Sequence, residues 1–459
     1  MLVKELRQGL RTRAFIGVFL TLHILLGVIL LSAGTANSSN QAGSSISNTI
    51  FIIFSMAVIL VQPMRGMGAL SSEIKGNTID MMVLTRLSAW KIVTGKWVAI
   101  VSQSALMMIT IIPYLILRYF FGGMNLFGEV VLLGMIFITS ATLTAITVGL
   151  SATSSIITRS ILPMLAIPIG SYILIVIIVF SRGGESLVEL CALDSTESRA
   201  SVASYVAACA FFGFFLLAAG TSLIAPLSEN QSTIRRLVAL VAAILAVILS
   251  INYIDNGEFL VLLFALVLTP PLIVNFTEFG TLSPPVYENF SRYGILGKLA
   301  GLFLLPGWAS GVFFSFLLTL ICSVAFIAFP HTLYSYDNHI TIALTGVATL
   351  LFPTILLAPF KMKGRDKFSN YLLILIASGV LSLVLLGIGE STSNPDFLWL
   401  FVWLPPVMFS MLGSSIDDGL VMAASAIITT AYFGVLIVMA IRQYRASMSA
   451  IKQSYTTAE

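Results

Sequence analysis

Charge is what this 459-residue sequence has least of: Asp, Glu, Lys and Arg make up 10% of it, against roughly 25% in soluble domains. With 58% of its residues hydrophobic, the chain cannot be a water-soluble globule. Histidine is equally scarce. His23 lies in an apolar run, and His331 and His339 have no Cys, Asp or Glu at metal-ligand spacing, which argues against a zinc site. Those histidines also lack a flanking Gly-x-Ser-x-Gly nucleophile motif, so no catalytic residue is assigned. Of the three cysteines, Cys209 and Cys322 fall inside apolar runs as packing thiols, and Cys191 lies in a loop without a partner, so no disulfide framework is implied.

A phosphate-binding loop is missing as well. Such a loop ends in Gly-Lys-Ser/Thr, whereas Gly95-Lys96 continues into Trp97 and Gly297-Lys298 into Leu299. The chain is therefore expected to have no ATPase site and no cofactor of its own. Acidic residues sit at the ends of apolar runs or between them. Ion-coupled carriers keep such groups in mid-membrane, where each costs about 2.5–3.5 kcal/mol on insertion scales. The net charge of +4 is spread between apolar runs rather than gathered on one face, so nucleic acid is not an expected partner.

What fills the chain is apolar runs of about 20 residues, the length of one helical crossing. Twelve are read, near 14–34, 49–70, 97–120, 130–152, 156–181, 202–227, 237–254, 259–275, 308–329, 339–360, 369–390 and 419–441. The first resembles a secretory leader, with basic residues before it and Gly34-Thr35-Ala36 after it, but its length favours a retained span. The expected fold is all-α and polytopic, in two six-helix halves, 1–228 and 229–459.

Both termini then face one side, which carries 21 Lys and Arg residues, against Arg118, Arg182 and Arg199 on the other. By the positive-inside rule the first side is cytoplasmic. Residues 397–411 are also apolar, yet a crossing there would move Arg442, Arg445 and Lys452 outside. A re-entrant or interfacial hairpin broken at Pro405-Pro406 is expected instead. In residues 1–13, Leu2, Leu6 and Leu10 recur every four positions with Lys4, Arg7 and Arg11 on other faces. This is either an amphipathic helix on the inner leaflet or a basic leader that only sets orientation.

The longest inner loops, 71–96 and 276–307, follow the second span of each half, a repeat in topology. Trp90 to Lys96 (WKIVTGK) is echoed by Tyr293 to Lys298 (YGILGK). In the first loop Ile79, Met82, Val83 and Arg86 have helical spacing, Thr78 is placed to cap, and Asp80 complements the positive end of the helix dipole. An amphipathic helix of this kind docks in a protein groove; the plain alternative is an interfacial loop anchored by Trp90 and Lys91.

Loop 71–96 resembles the cytoplasmic loop of type 2 ABC exporter permeases. The residues that carry the resemblance are Glu73, Gly76, Thr78, Ile79 and Asp80, then Leu84 and Leu87, then Ser88, Trp90, Ile92, Gly95 and Lys96, with Asn77 as a departure between Gly and Thr. The resemblance implies a coupling helix that sits in a separate ATP-binding subunit, two copies serving the two halves, and export across a bacterial cytoplasmic membrane. Tyr293, Gly297 and Lys298 are the implied second-half contacts, in a loop read from Thr281 as lacking the acidic-Gly-Thr step and interrupted by Pro284-Pro285. The Phe- and Met-rich spans suit a lipophilic or amphipathic cargo. An ion-coupled carrier and a membrane-embedded lipid-handling enzyme or scaffold remain the alternatives.

Overall fold

In lipid every backbone N–H and C=O must be satisfied within the chain, which leaves helices as the form for these runs. The computed structural model describes residues 2–35, 42–76, 87–119, 126–160, 191–194, 196–226, 229–253, 257–278, 284–328, 336–360, 362, 364–392, 395–412 and 418–456. Among them the secondary structure is helical throughout, and ten helices are long and apolar enough to cross a membrane. The chain is a polytopic all-α membrane protein. It divides into two compact units, Met1–Ala225 and Pro226–Glu459.

The first unit runs α1 (Leu2–Leu10), α2 (Arg13–Thr35), α3 (Ala42–Ser55), α4 (Ser71–Lys75), α5 (Ala89–Tyr119), α6 (Leu126–Leu150) and α7 (Thr196–Ile224). Between α3 and α4 the helical course changes type twice, through a π turn at Met56–Val61 and a 3-10 turn at Arg65–Gly68. Helix α6 is the centre, packed against α5, α7 and the π turn. It meets α7 closely because both contribute glycine: a Cβ on Gly149 would lie 2.2 Å from the Leu216 carbonyl oxygen, and one on Gly220 2.7 Å from the Gly149 Cα. Small residues of this kind let helices approach where no hydrophobic effect drives them together. Of the fifth expected span, residues 156–160 are helical and the remainder lies outside the described residues.

The second unit contains α8 (Ser232–Tyr253), α9 (Gly257–Thr277), α10 (Pro284–Ser291), α11 (Gly294–Leu304), α12 (Trp308–Ala328), α13 (Tyr336–Leu357), α14 (Gly364–Thr392), α15 (Pro406–Met411) and α16 (Asp418–Thr456). Helix α9 stands where the eighth span is expected, with a shorter apolar stretch, Leu263–Thr277, and Pro270 and Pro271 inside it. Helices α12, α13 and α16 pack on one another or on a shared neighbour. At 39 residues α16 is about 58 Å long, roughly twice the ~30 Å hydrocarbon core, so the tail continues the last span instead of ending at 441.

Residues 397–411 form no single span. A 3-10 helix, Pro395–Phe401, ends in a turn, and α15 restarts at Pro405-Pro406, with Pro405 as its N-cap. Leu398, Leu404, Val407, Met408 and Met411 are buried in a cluster with Phe352, Leu385 and Val421. The buried apolar surface explains why so short a pair of helices stays folded.

Candidate functional site

The loop predicted over 71–96 is shorter than expected, because α5 begins at Ala89. Ala89, Ile92, Val93 and Lys96 are all buried at helical spacing, so the third span starts well before residue 97. Lys96, expected as the last residue of the loop, has its charge neutralised locally. Its Nζ donates to Glu73 Oε1 at 3.0 Å and to Glu5 Oε1 at 3.2 Å. Three distant segments, α1, α4 and α5, meet at this ammonium.

Arg65 makes a second tie at the same end of the unit. Its guanidinium donates to the Gly9 carbonyl at 3.1 Å, to Thr12 Oγ1 at 3.0 Å and to Gln103 Oε1, and stacks over Phe15 at 5.7 Å. Helix α1 forms as the leucine spacing predicts, and it packs along α5 through these contacts, while Lys4 and Arg7 remain exposed.

The other motif residues fall into place unevenly. Glu73 lies on α4, and Gly76 ends that helix at φ −79°, an ordinary right-handed conformation, so the turn makes no demand for glycine. Thr78, Asp80 and Leu84 lie outside the described residues, as does the expected helical face from Ile79 to Arg86. Leu87 and Trp90 pack into a cluster with Leu70, Ala145 and Leu217, and Trp90 tilts against Phe214 at 5.8 Å between centroids. Trp90 is therefore a packing residue on α5. Gly95 is partly buried with open space around it.

The echo in the second half is not a structural match. Tyr293 is 78% exposed at the turn between α10 and α11, and Lys298 is exposed on α11, ten residues before α12 starts. Gly297 is buried, and a Cβ there would lie 1.9 Å from the Phe290 carbonyl oxygen, so the α10–α11 hairpin closes only with glycine. Around Lys298, Ile295, Leu296 and Leu299 are exposed as well.

The second unit holds a charge cluster that the sequence reading missed. Glu278, directly after α9, accepts from Arg235 at 2.9 Å and from Arg236, both on the first turn of α8, and from Ser232. Arg236 also donates to the carbonyls of Phe303 at 2.8 Å, Leu305 at 2.5 Å and Gly307 at 3.2 Å, which closes the end of α11. Arg235 and Arg236 lie between two expected spans, yet they are 5% and 1% exposed. Lys367 lies over the Trp308 ring at 5.2 Å. With Arg65 and Lys96, these are five of the 21 cations expected on the inner side, and the excess over the three expected on the other side remains large.

A signal for Glu278 was present. Read from Thr281, the second loop lacks the acidic-Gly-Thr step; read from Glu278 it has one, Glu278-Phe279-Gly280-Thr281, beside Glu73-Ile74-Lys75-Gly76-Asn77-Thr78 in the first half. In each unit a carboxylate at or just past the end of the second expected span is held from a neighbouring helix, Glu73 by Lys96 and Glu278 by Arg235 and Arg236. For Glu5, Arg65 and Gln103 no periodicity pointed to a shared contact.

Cys191, expected in an external loop, is buried with its Sγ 3.5 Å from Met135 Sδ, and burial pushes its thiol up to about 11. No group of three or more His, Cys, Asp or Glu residues fit to hold a metal ion occurs among the described residues. Compared with protein families, with curated proteins and with solved structures, the chain finds no match in any of the three.

Proposed function

We propose that this chain is the membrane subunit of an ABC exporter of the type 2 class, a transport subunit rather than an enzyme. Its two units act as fused halves, and separate ATP-binding subunits, two copies per chain, drive it. Both termini face the cytoplasm of a bacterial cell, and the cargo is lipophilic or amphipathic. The observation that carries this reading is the contact of Glu73 with Lys96 and, through Lys96, with Glu5. These are the first and last charged residues of the resembling segment, 23 positions apart, joined to the N-terminal helix.

Mechanically, a force on the loop that carries Glu73 reaches α5 and α1 through charge-assisted hydrogen bonds instead of dissipating in a flexible connection. The step at Glu278–Thr281 supports the same role for the second half, where the carboxylate joins α8, α9 and the 303–307 turn. The exposed apolar side chains Tyr293, Ile295 and Leu296 next to Lys298 supply a second surface for a subunit.

Glu73→Gln in the full chain, expressed with its native partners, tests the reading. The expected result is normal abundance in the membrane with ATP-binding subunit lost from the purified complex or its ATPase no longer stimulated. Full retention of a coupled ATP-binding subunit would assign Glu73 a purely structural role, and ATP binding by the isolated chain would remove the permease reading altogether.

A further inference from the structure

Between α2 and the π turn of the first unit lies an open groove of about 620 Å³, within the roughly 300–1,000 Å³ of ligand clefts. Leu22 and Ala57 form its buried floor, and Gly17 and Met56 stand on opposite walls. Its lining is apolar except for Thr21 partway along and for one end. There Arg13, the first residue of α2, is exposed and makes no hydrogen bond or ion pair with any described residue.

The dimensions identify what fits. From Arg13 to Leu25 the groove follows α2 for about 18 Å at ~1.5 Å per residue, a little over half of the ~30 Å hydrocarbon core. It is therefore one leaflet deep, largely apolar along its length with Thr21 as the exception, and cationic where the headgroups begin. A free anion would satisfy Arg13 and leave the apolar length empty. An uncharged alkyl chain would do the reverse.

Two features keep the groove open from within. At Gly17 an added Cβ would meet nothing within 4 Å, so the space is unfilled by the protein. On the facing wall, the π turn over Met56–Val61 shifts the side-chain register, and Ser140 of α6 donates to the Val58 carbonyl at 2.7 Å, satisfying a group in the irregular stretch. π turns inside α-helices recur at functional sites, which is a second reason to look for a ligand here.

We infer that this groove binds one phospholipid with an anionic headgroup, its phosphate on Arg13 and one acyl chain lying between Gly17 and Met56. The site is independent of any ATP-binding partner. Native mass spectrometry of the delipidated full chain tests it, by titration with dioleoyl phosphatidylglycerol, dioleoyl phosphatidylcholine and inorganic phosphate in turn. Phosphatidylglycerol should saturate at one copy per chain, at least ten-fold tighter than phosphatidylcholine, and inorganic phosphate should not displace it. Arg13→Gln should erase the preference between the two lipids. Gly17→Leu should weaken both lipids alike, with a melting transition like that of the original chain because its side chain enters open space; Met56→Trp fills the groove from the other wall. Equal binding of the two lipids to the original chain, displacement by phosphate, or undiminished binding by both filling variants would overturn the inference.

Discussion

Replacing Glu278 by Gln removes one negative charge from between two arginines and keeps the shape of the side chain. Arg235 and Arg236 are 5% and 1% exposed, and the Glu278 carboxylate side chain is 5% exposed, so water cannot take over its role. Breaking one partner out of a buried ion pair costs about 3–5 kcal/mol, because the other charge stays behind uncompensated. At roughly 2–4 °C per kcal/mol for a unit of 150–250 residues, the melting transition should fall by about 6–20 °C. Heating detergent-solubilised protein and following the monodisperse fraction by size-exclusion chromatography measures this. Glu73→Gln is the internal comparison: Glu73 is 21% exposed and Lys96 keeps Glu5, so its cost should lie between the 0–1 kcal/mol of surface pairs and the buried value, about 1–2 kcal/mol. A shift for Glu278→Gln below about 2 °C, or one smaller than that for Glu73→Gln, would refute the claim that the second cluster is a closed, dry contact.

Cys191 should react with an impermeant maleimide about 100-fold more slowly than a free thiol at neutral pH, since a pKa raised from 9.0 to about 11 leaves that much less thiolate. Because the folded-state value is the higher one, the stability linked to this thiol is fully present below pH 9 and is lost as pH rises toward 11; denaturant titrations across that window check the sign. For sidedness, cysteines placed at the exposed positions Arg199 and Arg442 in a cysteine-free chain should be labelled from outside and only after permeabilisation, respectively, and the opposite pattern would invert the topology. Gly149→Leu should drive α6 from α7 at a cost of at least 1–3 kcal/mol, while Gly134→Leu on the same helix, with nothing within 4 Å, should melt normally; equal melting of the two contradicts the close contact. Substituting Tyr293 and Lys298 by Ala and Gln should lower ATPase stimulation less than Glu73→Gln does, with unchanged melting because both side chains are exposed.

Most of the architecture was legible because a run of about 20 apolar residues has few alternatives in lipid. Ten of the expected spans coincide with long apolar helices, and the break at Pro405-Pro406 announced itself through two prolines in an apolar stretch. The errors share a cause. Lys96, Arg235 and Arg236 fall between the expected spans, where a charge is unremarkable, yet each meets a carboxylate that is distant in sequence. Pairing of that kind is a tertiary fact, invisible to a window of residues. Glu278 is a different case: it lies inside the expected loop 276–307, but a comparison with the first loop that begins at Thr281 cuts the acidic-Gly-Thr step in two. The π turn had no local signal at all, since Met56–Val61 reads as ordinary span and its Val58 carbonyl meets Ser140 only in the folded unit.

The most direct test of the permease proposal is the mass of the complex purified intact from native membranes. The account predicts one 49.5 kDa chain carrying two copies of an ATP-binding subunit, with one copy lost first in chains altered at Tyr293 and Lys298. A complex of two chains with two ATP-binding subunits, unaffected by those changes, would show that the second unit is not an equivalent half. A chain recovered with no nucleotide-binding partner, transporting on its own, would contradict the proposal outright.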